Sequence, residues 1–406
     1  MGKLVIHEDK LNKEVIEELL KICPFGAMEE KGGKLEISAA CKMCKLCVKK
    51  GPSGVVEYVE EEVTKIDKDL WKGIAVYVDH VEGEIHPVTY ELLGKGKELA
   101  SKINHPVYAL FIGHNIKEKA EELLHYGADK VFVYDYQELK EFRIEPYAAA
   151  FEDFIENVKP SSILVGATTI GRSLAPRVAA RFKTGLTADC TILDMKDNTD
   201  LVQIRPAFGG NIMAQIITSN NRPQFATVRY KIFSPLERTK NSNGEIISCD
   251  MNKDKFKSGI KVLNITKKEK ELSISDAEVI VAAGRGIKSE KDMKLIEELA
   301  NALGGQIAGT RPLVEAGWID AKQQIGLSGR TVKPKLMITV GIQGSVQFVA
   351  GMNNSDTIIA INKDPNASIF NVAHYGIVGD LYEIIPNLIQ QLNREEAVTE
   401  VASSCK

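Results

Sequence analysis

Between Trp71 and Leu392, short apolar runs take turns with helical stretches, and this alternation limits the possible folds more than any other feature. GIAVYV, VYALFIG, KVFVY and SSILVGA read as strands, and KEKAEELLHYG and GRSLAPRVAARFK read as helices. Such an order calls for a parallel sheet covered by helices on both faces, an α/β fold. ADCTILDM, LVQIRPAFGG and QFATVRYKIF add further strand-like text, and NSNGEIISCDMNKDKFKSG reads as a connecting region. A second α/β unit opens near Ser275 with AEVIVAAGRG, followed by the helix KDMKLIEELANALG, KLMITVG, TIIAINKD and a helix around DLYEIIPNLIQQLN. The end, EEAVTEVASSCK, is expected to fray.

The first 66 residues differ in style. LNKEVIEELLKI places Leu11, Val15, Ile16, Leu19 and Leu20 on one side of a helix, and KLEIS and GVVEYVE are short strand candidates. A unit this small has a thin core and needs a staple such as a metal centre. The expected division is a ferredoxin-like unit at 1–66, an α/β domain at 67–262, a nucleotide-binding-type α/β domain at 263–395 and a tail at 396–406. With 406 residues, a formal net charge of -3 and 26% charged residues, nothing marks nucleic acid as a partner. No apolar run approaches the roughly 18 residues that a membrane span needs, and the N-terminus lacks an apolar signal core. Seven cysteines, four of them crowded near the N-terminus, read as metal ligands in a reducing compartment, the cytoplasm.

CKMCKLCVKKGP spaces Cys41, Cys44 and Cys47 every third residue and has Gly51 before Pro52. Bacterial ferredoxins continue this run with a cysteine before the proline, and in two-cluster ferredoxins that cysteine ligates the other cluster. Gly51 therefore removes a second cluster and costs the first nothing. The fourth ligand of the triplet is sought upstream, at Cys23-Pro24 in KICPFGAM. The spacing points to one [4Fe–4S] cluster on Cys23, Cys41, Cys44 and Cys47, with a structural metal or a degenerate site as the alternative. Zinc usually takes two separated pairs, and a second C-x-x-C is missing. Cys190, Cys249 and Cys405 read as packing or surface thiols. Asp189, His80, His105, His125 and His374 form no ligand spacing and read as surface or packing residues.

AEVIVAAGRG ends a buried strand in a glycine-rich turn, which can offer backbone N–H groups to a pyrophosphate. Neither G-x-G-x-x-G nor a P-loop is present. More specific are AGTRPLVEAGWID, QQIGLSGRTVKPKLMITVGIQGSVQFVAGM and TIIAINKDPNASIFNVAHYGIVGDL, which resemble the FAD-binding half of electron transfer flavoprotein α subunits. The resemblance continues upstream through GATTIGRSLAPRVAARFKTGLTADC and RPAFGGNIMAQI. The ferredoxin-like extension resembles a subset of these subunits from anaerobes that bifurcate or confurcate electrons.

That resemblance implies FAD and assigns roles by position. Arg311 matches the arginine that lies against the flavin and stabilises its reduced, anionic form. Ser328 matches the hydroxyl residue bonded to flavin N(5). Gln324, Gln343, Gly344, Ser345 and Val346 match contacts along the FAD chain and ring, with Gly329, Arg330 and Gln347 beside them. Asn362, Lys363 and Asp380 match the ribose and adenosine end. Phe348 departs from the family, where histidine commonly reaches the pyrimidine edge. No nucleophile, carboxylate pair or proton relay is in evidence, so the cofactors carry the chemistry and the protein sets potential and distance. The implied partners are a β subunit carrying FAD and an NAD site, a flavin dehydrogenase, and ferredoxin. A lactate dehydrogenase is favoured over an acyl-CoA or enoyl-CoA (caffeyl-CoA) reductase. A non-bifurcating carrier and a vestigial nucleotide-binding scaffold are the other readings. The polar run 241–259 is expected to be a hinge on which the FAD domain moves.

Overall fold

Ile74–Tyr77 and Ser162–Gly166 are buried at every position, as strands covered on both faces must be. They pair in parallel at the middle of a seven-stranded sheet. The order across it is Leu186–Cys190, Gln224–Val228, Ser162–Gly166, Ile74–Tyr77, Val107–Gly113, Lys130–Asp135 and Glu245–Ser248, and every neighbouring pair is parallel. One face packs Leu92 and Leu99 of helix Val88–Ile103 against Phe111 and Leu123. The other packs Phe151 and Phe154 of helix Ile144–Val158 against Tyr77 and Phe225. Each of these side chains contributes about 1.5–3 kcal/mol by leaving water. An antiparallel meander, Ile192–Met195, Leu201–Ala207 and Ile212–Ile216, forms a separate sheet that packs onto the first core through Leu193, Met195 and Leu201.

This computed structural model describes residues 2–404 apart from 33, 39, 61–65, 208–211, 241 and 267–272. Cys405 and Asn241 thus lie outside the described residues. The chain forms two units, Met1–Ile66 and Asp67–Lys406.

In the smaller unit, Gly2–Ile6 pairs antiparallel with Val56–Glu60, and Met28–Lys31 forms a hairpin with Lys34–Ile37. Asn12 caps helix Lys13–Ile22 by accepting from the Val15 amide at 2.8 Å. The core is thin: Ile16, Leu19, Met28, Leu35, Cys47, Val55 and Val56. Gly51 has a steric cause of its own. A Cβ there would lie 2.3 Å from the Cys47 carbonyl and 2.8 Å from Leu19 Cδ2, so position 51 has no room for a cysteine.

In the larger unit a second parallel sheet follows, ordered Gln306–Gly309, Val279–Ala283, Leu336–Val340, Thr357–Asn362 and Tyr375–Val378. Helices Met293–Ala302 and Leu381–Ser404 cover one face, through Ile296, Leu299, Leu381 and Ile385. Among the described residues no helix is long and apolar enough to cross a membrane.

Three sequence expectations change. The run read as a connector contains Glu245–Ser248, an edge strand paired with Lys130–Asp135. Beyond it Met251 and Phe256 are buried in the first sheet's core, and the Met251 amide donates to Tyr136 Oη at 2.7 Å. A segment bonded and buried in this way is part of the first domain's body, not a hinge. The tail expected to fray is helical through Ser404.

Candidate functional site

All five parallel strands of the second sheet end at one rim, and their loops line an open groove of about 690 Å³. Ligands of open α/β sheets bind at this carboxyl edge, and small-molecule sites typically measure about 300–1,000 Å³. Gly284, Arg285 and Gly286 follow the first strand; Gly341 to Ser345 follow Leu336–Val340; Asn362, Lys363 and Asp364 close Thr357–Asn362; Asp380 and Tyr382 open the last helix. Two turns touch here without side chains between them. A Cβ on Gly286 would sit 2.5 Å from Gly341 Cα, and Gly341 itself has φ +61°. The Gly286 amide donates to the Gly341 carbonyl at 2.9 Å, which locks the pair.

The groove's chemistry suits a long, anionic, polar ligand. Arg285, Lys288 and Lys363 bring three cations to its lining. Thr310 Oγ1 is buried there with no partner among the described residues, and an orphaned buried hydroxyl is costly until something bonds to it. Tyr382 braces the rim: its hydroxyl accepts from the Lys288 amide and donates to Asp292 Oδ2, each at 2.9 Å.

Of the residues expected at the cofactor, Gln343, Gly344, Ser345, Asn362, Lys363 and Asp380 line this groove. Asn362 is committed to the frame, donating to the Ile342 carbonyl at 2.8 Å and accepting from the Asp364 amide at 3.0 Å. Asp380 caps the last helix by accepting from the Tyr382 amide. Gln324, Ser328, Gly329 and Arg330 lie instead in a loop whose Leu327 amide donates to the Gln347 carbonyl. Within it Gln324 Nε2 donates to Ser328 Oγ at 2.8 Å. Val346 is exposed on the short helix Val346–Val349. Arg311 is not brought into the groove: Thr310 and Pro312 line it, while Arg311 Nε donates to Glu315 Oε1 at 2.8 Å.

In the N-terminal unit Cys23, Cys41, Cys44 and Cys47 line one small, mostly apolar cavity. Met43 and Lys45 take left-handed φ values of +52° and +59°, which wraps the C-x-x-C-x-x-C loop around it. Backbone amides already point at sulfur, Ala27 N to Cys23 Sγ at 3.3 Å and Met43 N to Cys41 Sγ at 3.4 Å. Burial pushes the Cys47 thiol up, and the nearby Cys41 and Cys44 add to the shift. Among the described residues no three His, Cys, Asp or Glu side chains converge on a single metal-ion position.

Residues 74–253 match the electron transfer flavoprotein domain and residues 273–353 match the electron transfer flavoprotein FAD-binding domain. The lactate dehydrogenase (NAD(+),ferredoxin) subunit LctC of Acetobacterium woodii is 62% identical over 396 residues, 98% of this chain and 95% of its own. The electron transfer flavoprotein subunit alpha of Megasphaera elsdenii is 45% identical over 337 residues, 82% of this chain and 100% of its own. The chain belongs to the electron transfer flavoprotein α-subunit family. A further relative, the acryloyl-CoA reductase electron transfer subunit beta of Anaerotignum propionicum, is 38% identical over 80% of this chain.

Within this electron transfer flavoprotein subunit, sequence reasoning missed Arg285, Lys288, Thr310 and Tyr382 as groove residues. Arg285 stands inside the glycine turn and Thr310 beside the noted arginine, so both were within sight of a motif. Lys288 and Tyr382 join the groove only because the last helix folds back onto the first strand's turn. Phe348, the departure from the family's histidine, is 3% exposed and packs with Ile274, Val332 and Ile369. Asp189, read as ordinary, holds two guanidiniums, Arg172 at 3.0 Å and Arg229 at 2.8 Å.

Proposed function

We propose that this chain is the electron-transferring α subunit of a complex that couples lactate oxidation, NAD and ferredoxin, as the name of its A. woodii relative describes. The observation that carries this is the reach of the match. At 98% of the chain it runs through the 66-residue N-terminal unit, whereas the M. elsdenii match leaves unmatched a stretch about that size. That reach supports reading the N-terminal unit as common to this chain and the lactate-linked relative.

In this reading the groove holds FAD. Arg285, Lys288 and Lys363 sit where a pyrophosphate needs cations, Thr310 gains a partner, and the Gly286–Gly341 contact lets the ligand approach the backbone. The loop 324–330, with Ser328, and the residues Val346 and Gln347 take the flavin end. Cys23, Cys41, Cys44 and Cys47 hold one [4Fe–4S] cluster, whose sulfur ligands are tuned by the Ala27 and Met43 amides. Such amide hydrogen bonds are one of the levers on cluster potential. When bound, the two groups supply one-electron chemistry; the protein supplies binding, spacing and electrostatics. A β subunit with its own FAD and NAD site, a lactate dehydrogenase subunit and ferredoxin complete the assembly, in the cytoplasm.

The test is reconstitution with a β subunit and a lactate dehydrogenase subunit. Lactate-dependent NAD+ reduction should require reduced ferredoxin and should fail with Cys41→Ser. An assembly that instead reduces an enoyl-CoA, or that ignores ferredoxin, would move the chain to the acyl-CoA reductase or simple-carrier reading.

A further inference from the structure

The loop 324–330 is held from two sides. Several of its amides bond internally or to the same domain: Gly329 N to Gly326 O, Arg330 N to Gln324 O and Leu327 N to Gln347 O. Its outward carbonyls are taken by a residue about a hundred positions away. Arg229 donates from Nη2 to the Leu327 carbonyl at 2.8 Å and from Nη1 to the Gly329 carbonyl at 3.5 Å. These two carbonyls flank Ser328.

Arg229 is itself fixed. It follows the strand Gln224–Val228 at its carboxyl end, and its Nη2 also donates to Asp189 Oδ2 at 2.8 Å. Asp189 lies where the pairing of Leu186–Cys190 slips register, with a left-handed φ of +55°. A bulge of this kind re-aims a side chain, here toward Arg229, and Thr227 Oγ1 accepts from the Asp189 amide to hold it. Burial pushes the Asp189 carboxyl up, but Arg229 and then Arg172 outweigh it and leave it below the usual carboxylate range. It is therefore a fixed anion at neutral pH. A cavity of about 240 Å³, bordered by Arg205, Arg229, Gly326 and Leu327, adjoins the loop.

We propose that Arg229, oriented by Asp189, is a positioning residue that spans Leu327 and Gly329 and so fixes the Ser328 hydroxyl for the flavin. The proposal rests on the reading that Ser328 stands at the flavin end. It also makes Arg229 a tie between the first α/β domain and the cofactor loop of the second.

The experiment compares Arg229→Ala, Arg229→Lys, Ser328→Ala and the double alanine variant in the FAD-loaded complex. It reads FAD retained, flavin potential and amide hydrogen exchange over 324–331. Arg229→Ala should keep FAD, exchange the loop amides at least about tenfold faster, and shift the potential in the same direction as Ser328→Ala. The double variant should shift it by less than the sum, as expected for residues acting on one group. Arg229→Lys should recover part, because one ammonium can keep Asp189 but cannot span two carbonyls. If Ser328→Ala moves the potential and Arg229→Ala moves neither potential nor exchange, the positioning role is wrong and the flavin reading stands. If Ser328→Ala moves nothing, the flavin is elsewhere and both fall. Should Arg229→Ala fail to fold, Asp189→Asn and Arg229→Lys decide by the same loop exchange, and unchanged exchange in both overturns the proposal.

Discussion

Arg311 provides the sharpest electrostatic test of the flavin reading. The guanidinium is exposed and donates to Glu315 Oε1 at 2.8 Å, one helical turn on, while its neighbours Thr310 and Pro312 line the groove. To serve the flavin it must leave Glu315, an exposed i,i+4 pair of about 0.3–0.5 kcal/mol. A charge-assisted hydrogen bond to a reduced, anionic flavin is worth about 1.5–3 kcal/mol. At about 59 mV per factor of ten for one electron, that equals roughly 65–130 mV. Giving up Glu315 takes back roughly 13–22 mV by the same conversion. Arg311→Ala should therefore lower the flavin's first one-electron potential by roughly 45–115 mV. Glu315→Gln should raise it by roughly 13–22 mV, because the arginine no longer has a competing anion. Arg311→Lys should fall between, keeping the charge without the planar fork. A spectroelectrochemical titration of the FAD-loaded complex measures all three. An Arg311→Ala complex with FAD bound and an unmoved first potential would refute the reasoning.

Three further outcomes are expected. Iron analysis of anaerobically purified chain should give about four irons; Cys23→Ala should lose or convert the cluster and Cys190→Ala should not, since burial holds the Cys190 thiol up at about 12, away from the thiol cavity. Gly286→Ala should cost at least about tenfold in FAD affinity, because its Cβ would meet Gly341 Cα at 2.5 Å and part the two turns; equilibrium FAD release reads this directly. Burial raises the Glu91 carboxyl from its ordinary value of 4.5 to about 7, against the amides of Lys231 and Phe233 that bond to it. The folded state then binds the proton more tightly than the unfolded chain, so this contribution is present below about pH 4.5 and is lost as pH rises through about 7. Chemical denaturation of the chain between pH 5 and 7 should show that loss, and Glu91→Gln should flatten it.

The parallel sheets were readable because strands covered on both faces are written as unbroken apolar runs, SSILVGA and GIAVYV being the plainest. The groove's glycine turn and the thiol triplet were readable because both depend on residues a few positions apart, whose geometry the local chain dictates. Glu245–Ser248 escaped for the opposite reason. As a short edge strand it is mostly exposed, and its pairing partner is more than a hundred residues earlier. The Arg311–Glu315 pair has the i,i+4 spacing of neighbours on a helix face, a pattern the sequence carries on its own.

What the sequence by itself determined is the set of local chemistries: which thiols share a loop, which strands end in glycine, which arginine precedes a proline. Tertiary structure decided which of them meet. Arg229 reads as an ordinary residue after a strand until a register slip turns Asp189 toward it and the second domain lays the Leu327 and Gly329 carbonyls within its reach. Thr310 becomes a groove residue with a buried, unpartnered hydroxyl only where the strand ends converge. Hydrogen bonds reach about 3 Å and the chain brings these groups together from a hundred positions apart, so no pattern along the sequence records them.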